Sequence, residues 1–302
     1  MNLRNKFDDG LLEKFSSLVI KNDLPSFISK AFKTTNPGTE YIHNWHIDLI
    51  CEHLIACEKG FTKRLIINIP PRYLKSHIIN VAWPAWLLGH DPTRRIISAS
   101  YSQALATKHS LDTRLLINSP WYQKIFPATQ MVSDQNEKDK FITTQRGFRL
   151  ATSVGGTLTG EGGNFLILDD PHNPAHMNSA TMREQTLNWF EQVFASRLDD
   201  KNKGVMVLIM QRLHTDDLTG YLRSKSSSWE YVSIPAIAKK NMFFPSPLKR
   251  SRGYLFPEKF PLHPGKENAL GLKNTEAEIG SFTFSAQYLQ NPLPTENGLI
   301  RK

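Results

Sequence analysis

Apolar residues fall along this chain in two rhythms. Leu65-Ile66-Ile67-Asn68-Ile69 is a short, bulky, β-branched run, the pattern of a strand buried on both faces. Arg95 to Ser100, Phe165 to Leu168 and Val205 to Met210 repeat it, and Tyr231 to Ile234 reads as a last strand. Between these runs the spacing turns helical. A lead-in from Asp9 to Lys33 ends at the turn signal Asn36-Pro37-Gly38, and Tyr41 to Glu58 reads as a helix stopped by Gly60. Further helices are predicted over His77–Leu88, Ser102–Ile117 and Ser179–Leu198. In the last, Ser179 is the cap and Met182, Leu187, Phe190, Val193 and Phe194 form the buried side. Trp121 to Phe126 makes a short aromatic turn, and Thr215-Asp216-Asp217 caps a short helix. Lys140–Thr144 and Phe148–Thr152 flank Gln145-Arg146-Gly147 as a hairpin, and Ser153–Gly163 is a Gly/Thr-rich loop. Past Ala236 prolines break up the chain, leaving one helical stretch from Glu276 to Leu289. Strands alternating with helices imply crossover connections, hence an α/β fold with a mainly parallel sheet.

Composition narrows this little. At 302 residues, 40% hydrophobic and 22% charged, the chain can bury a large core. No apolar run reaches membrane-span length, and the N-terminus lacks the apolar stretch of a signal peptide. Cys51 and Cys57 match no metal or redox spacing and read as two buried thiols on one helix, which suits a cytoplasmic setting. Charge adds more. Residues 218–302 hold twelve Lys or Arg against six Glu, whereas residues 1–217 hold 25 basic against 22 acidic side chains. A basic C-terminal portion on a nearly neutral body points to a polyanionic partner, nucleic acid before membrane. The run from Lys239 to Arg252 is the candidate surface.

The chemistry sits at the carboxyl ends of the strands. After Ile69, Pro70-Pro71-Arg72-Tyr73-Leu74 turns the chain and Lys75-Ser76 opens a helix. That is the order of a phosphate-binding loop, in which backbone N–H groups face the anion, the lysine reaches the outer phosphates and the serine ligates Mg²⁺. The glycines of the usual loop would fall at Ile69 and Leu74, and this chain has neither. Asp169, ending FLIL, suits a second Mg²⁺ position, and Asp170 suits activation of the attacking water. Their separation from the loop leaves room for an added strand, Arg95 to Ser100, and its helix. Gln211-Arg212 end the next strand, where the γ-phosphate can be sensed; Arg72 is placed to act as a cis arginine finger. Trp45-His46 are candidates for stacking on and hydrogen-bonding a base. Singly, each piece has a plainer reading: a strand-to-helix turn, a turn cap, a surface arginine, a core tryptophan. Parallel sheets bind ligands outside the carboxyl ends of their strands, so the four sets together favour one crevice.

Taken together, Trp45-His46, RLIINIPPRYLKS (64–76), SASYSQALA (98–106), GGTLTGEGGNFLILDDPH (155–172), IMQRLHTDDLTG (209–220) and FSAQYLQNPLPTENG (284–298) resemble the large terminase subunit of tailed bacteriophages. That ATPase drives DNA into an empty capsid, and the family tolerates loops without glycines. The resemblance implies an additional-strand, RecA-like P-loop NTPase with a mainly parallel sheet flanked by helices and an irregular C-terminal extension. It implies a helical lead-in over 1–40, an ATPase domain over 41–236 and a hinge subdomain over 237–302. ATP would lie on Pro71, Arg72, Tyr73, Leu74, Lys75 and Ser76, with Trp45 and His46 at the adenine. Mg²⁺ would lie at Ser76 and Asp169. Asp170, Arg72 and Lys75 would be catalytic, and Gln211-Arg212 would couple hydrolysis to movement. Asp170 stands where the family often has Glu, and His46 where it more usually has Gln. The implied partners are double-stranded DNA, a small terminase subunit and a portal protein, with the chain working in a homo-oligomeric ring, in the host cytoplasm and transiently on the procapsid. Family members normally continue into a nuclease domain; no aspartate follows Asp217, so no nuclease activity is expected. Another nucleic-acid-stimulated, helicase-like ATPase and an inactive prophage remnant are the alternatives.

Overall fold

Alternate residues of the central strands belong to two separate cores. The computed structural model describes residues 3–294 except Thr159, Arg250 and Ser251, so parts of the basic run and residues 295–298 of the last motif lie outside the described residues. In β1 (Arg64–Asn68), Leu65 and Ile67 join one cluster and Ile66 the other. In β7 (Val205–Met210), Val205, Val207 and Ile209 face one way and Met206, Leu208 and Met210 the other. This is the two-residue period of a strand, apolar on both faces because helices cover both.

The sheet has eight strands in the order β3-β4-β5-β2-β6-β7-β1-β8. Strands β5 (Phe148–Ser153), β2 (Arg95–Ser100), β6 (Phe165–Asp169), β7, β1 and β8 (Glu230–Ser233) run parallel, as expected. The antiparallel pair β4 (Lys140–Thr143) and β5 is the expected hairpin. The edge strand β3 (Met131–Asn136) escaped prediction because MVSDQN carries no apolar alternation. One expectation is corrected. The strand set between β1 and the acid strand β6 is β7; β2 flanks β6 on its far side.

One face is covered by α2 (Leu24–Thr35), α3 (Trp45–Glu58), a π-helical turn His77–Ala82 running into α4 (Trp83–His90), α5 (Gln103–Ile117) and α6 (Pro120–Ile125). Cys51 and Cys57 are buried free thiols on α3. The other face is covered by α7 (Ala180–Trp189), which continues through turns to Arg197, and by α8 (Leu218–Lys225). Met182, expected inside, is exposed, and Trp189 takes the buried position. The single lead-in helix is two, α1 (Leu3–Asn22) and α2, parted at Asp23, whose carboxylate caps α2 through Ser26 N at 2.9 Å. The helix expected over 276–289 is likewise two, α9 (Ala269–Ile279) and α10 (Ser281–Gln287), because Gly280 turns at φ 82°. A small hairpin, β9 (Met242–Phe244) and β10 (Tyr254–Phe256), lies within the proline-rich stretch. No helix among the described residues is long and apolar enough to cross a membrane.

Helix α2 is anchored by Phe27, fully buried and edge-on to Trp86, Trp121, Tyr122 and Phe126 with ring centroids 5.4 to 6.2 Å apart. Phe15 on α1 is 67% exposed. Phe27→Ala should therefore cost about 3–5 kcal/mol in urea denaturation, and Phe15→Ala less than about 0.5 kcal/mol. Equal costs would refute this docking of α2.

Candidate active site

The loop after β1 holds its shape at a backbone cost. Ile69 N donates to Met210 O at 3.2 Å, keeping the strand paired until the chain turns. Arg72 (φ 71°) and Leu74 (φ 64°) then adopt the left-handed conformation that side-chain-bearing residues avoid. Leu74 stands where the usual loop has its second glycine. It takes the glycine backbone and packs its half-buried side chain against the core. Its carbonyl accepts from Ile78 N at 2.9 Å, which starts the helix with Lys75 and Ser76 in its first turn. The loop thus runs directly into a helix N-terminus, the order found at anion-binding turns.

The two acids at the end of β6 meet that turn. Lys75 Nζ lies 2.8 Å from Asp170 Oδ2, and Ser76 Oγ donates to Asp169 Oδ1 at 3.0 Å. Asp170 is itself left-handed (φ 45°) and is held on every side. Its N–H donates to Ile209 O at 2.9 Å, its carbonyl accepts from Tyr101 N at 3.1 Å, and its Oδ1 accepts from Gln211 N at 3.1 Å. The carboxyl ends of β2, β6 and β7 are pinned together at this residue. Burial raises the pKa of both Asp169 and Asp170 above the ordinary carboxylate value, and Lys75 opposes the rise in each.

Lys75, Ser76, Asp170 and Gln211 line a cleft of about 920 Å³ together with Arg72, Tyr101, His46, His263 and Lys266. His46 is fully buried; its Nδ1 accepts from Asn44 Nδ2 at 2.6 Å, and its Nε2 has no partner among the described residues. Three residues expected at the site do not line the cleft: Asp169 lies fully buried behind Ser76, and Trp45 and Arg212 are engaged elsewhere. Trp45 is not among the residues lining the cleft and packs on Phe244, Tyr254 and Phe256. Arg212 is buried in a two-pronged ion pair with Asp217 (3.0 and 2.9 Å), so its guanidinium holds the turn before α8. Gln211 does face the cleft, its Oε1 unpartnered among the described residues.

The sequence reading missed two sets of residues. Behind Asp169 lie Asn80, His109 and Arg149. Above the loop, Lys266 donates to Arg72 O and Tyr73 Oη donates to Glu267 Oε2 at 3.1 Å. Asn80 lies four residues past Ser76, one helical turn on, and its spacing was a usable signal. Arg149 and Glu267 come from distant segments and leave none. Among the described residues no group of three or more His, Cys, Asp or Glu side chains could hold a metal ion by itself. Ser76 and Asp169 offer a sparse, oxygen-only donor set. That fits Mg²⁺, which binds through one or two carboxylates together with substrate phosphates and waters.

At the left-handed Leu74, glycine is favoured over alanine, the reverse of ordinary positions. Leu74→Gly should be more stable than Leu74→Ala by about 1 kcal/mol in urea denaturation, and the opposite order would contradict the loop geometry. A second expectation concerns pH. Burial lowers the pKa of His46 to about 3 and of His77, His109 and His172 to about 4. The unfolded chain binds these protons near 6.5 and the folded chain does not. Stability is therefore fully present above pH 6.5 and is lost as pH falls toward 4, on the order of 1 kcal/mol per histidine by pH 5. A Tm unchanged between pH 7 and 5 would show that these histidines are not buried neutral.

No family model matches the sequence, and no curated protein matches it. Among solved structures, the chain is similar to a variant of the large terminase ATPase domain of Thermus phage P74-26, at 11% identity and a TM-score of 0.53, over 87% of this chain and 97% of that one. It is also similar to the large terminase of bacteriophage HK97, at 14% identity and a TM-score of 0.48, over 85% of this chain and 52% of that one, so it spans about half of that protein's length. The first likeness establishes the fold. The chain shares the fold of that domain, a mainly parallel sheet flanked by helices.

Proposed function

We propose that this chain is a Mg²⁺-dependent ATPase of the large-terminase type, a motor subunit that packages double-stranded DNA into phage capsids. The observation that carries the reading is the meeting of Lys75, Ser76, Asp169 and Asp170 at one rim of the sheet, with Lys75–Asp170 at 2.8 Å and Ser76–Asp169 at 3.0 Å. Residues 41–236 form the ATPase domain in this reading, 1–40 a helical lead-in and 237–302 a hinge subdomain. The triphosphate sits on the amides of residues 71–76, and the base lies toward His46. Trp45 supports that wall of the cleft without touching the base.

Ser76 and Asp169 would hold the cation, which would supply positive charge to the phosphoryl group in transfer. Lys75 is engaged by Asp170 at 2.8 Å. A γ-phosphate draws the ammonium toward itself, and the freed Asp170 carboxylate then orients and deprotonates the attacking water. Arg72, exposed on the loop, adds a second cation to the transferring phosphoryl group. Gln211 is in reach of the same group and, being bonded through its N–H to Asp170, links the state of the site to β7. The positive charge of the C-terminal portion supports a nucleic-acid partner. Assembly as a ring with a small terminase subunit and a portal, in the bacterial cytoplasm, completes the proposal.

Purified protein should release phosphate from ATP with Mg²⁺. Lys75→Ala and Asp169→Ala should each lower the rate at least about 10²-fold while far-ultraviolet circular dichroism stays that of the parent. Either folded variant turning over at the parental rate would sink the assignment.

A further inference from the structure

We propose that Asn80 and Arg149 form a relay that holds the Asp169 carboxylate oriented for a divalent cation, an inference that rests on the ATPase reading above. Asn80 lies fully buried in the π-helical turn His77–Ala82. Its Nδ2 donates to Asp169 Oδ2 at 3.2 Å and to His109 Nδ1 at 2.9 Å. Its Oδ1 accepts from Arg149 Nη2 at 2.9 Å, and its backbone carbonyl accepts from the same nitrogen at 3.0 Å. Asp169 is therefore gripped at both oxygens, by Ser76 at Oδ1 and by Asn80 at Oδ2.

The two grips differ in kind. A serine hydroxyl rotates freely and turns its lone pairs to a cation when one arrives. A carboxamide has two faces, and a half-turn would set its oxygen against the carboxylate. Arg149 prevents that half-turn, because a guanidinium only donates and demands the amide oxygen. With Ser76 given over to the cation, Asn80 continues to fix the carboxylate plane.

Arg149 is costly for a residue that only fills space. It is fully buried, no carboxylate lies within ion-pair distance of it among the described residues, and its Nε and Nη1 have no partner there. Removing a guanidinium from water without a direct counter-charge is unfavourable, and an apolar side chain of similar size would pack at less cost. What an apolar residue cannot do is choose the amide's orientation. Residues that orient a metal ligand from behind typically shift metal affinity 10- to 100-fold when removed.

The test is Mn²⁺-dependent binding of a fluorescent ATP analogue to the whole chain, compared with binding in EDTA. Asn80→Ala, and the double substitution Asn80→Leu with Arg149→Met, should raise the Mn²⁺ concentration for half-saturation by about tenfold or more and leave metal-free nucleotide affinity unchanged. The double variant should keep or raise the parental Tm. Folded variants with the parental Mn²⁺ half-saturation would overturn the relay alone. Failure of both variants to fold would make the pair structural and overturn it too. A parent that binds neither Mn²⁺ nor nucleotide would overturn the ATPase reading and the relay with it.

Discussion

Everything at the cleft depends on one buried ion pair, Lys75 with Asp170 at 2.8 Å, set beside the buried carboxylate of Asp169. Lys75 is 6% exposed and Asp169 fully buried, and charges so placed persist only in mutual company. The loop, the ends of β2, β6 and β7 and the first helical turn converge so that these charges meet. Three hydrogen bonds tie Asp170 to the ends of two neighbouring strands, two to β7 and one to β2, and fix its place. Stability and chemistry compete here, since these charges are kept largely out of water.

The strain is concentrated in the same place. Arg72, Leu74 and Asp170 are three of the seven described residues, glycines aside, that have positive φ, and all three line the cleft. Each such residue costs of order 1–3 kcal/mol and persists where the surroundings over-determine it. Leu74 shows how. It forgoes the glycine that the backbone would prefer and gains contact with the core.

Most of the fold was legible because strands buried on both faces write uninterrupted apolar runs; β2 and β7 lie where those runs predict. The edge strand β3 was illegible because it is polar, and the hairpin β9–β10 because its strands, MFF and YLF, are only three residues long and set among prolines. Lys75, Ser76, Asp169 and Asp170 were readable from their positions at strand ends. Trp45 and Arg212 were not: adjacency in sequence to His46 and Gln211 suggested a shared role, but successive side chains diverge. Arg149, 69 residues from Asn80, owes its place to the pairing of β5 beside β2. Which strand separates β1 from β6 is likewise a matter of sheet order, which chain order does not reveal.

The C-terminal segment is moored to the cleft at two places. Glu267 and Lys266 hold the loop through Tyr73 and Arg72, and Gln290 Oε1 accepts from Arg212 N at 3.0 Å beside the end of β7. Between those moorings run α9 and α10, joined by the single turn at Gly280. The loop after β1 and the end of β7 are thus tied to one another through residues 269–287 as well as through the sheet, so the segment outside the sheet shares in holding the cleft's two walls.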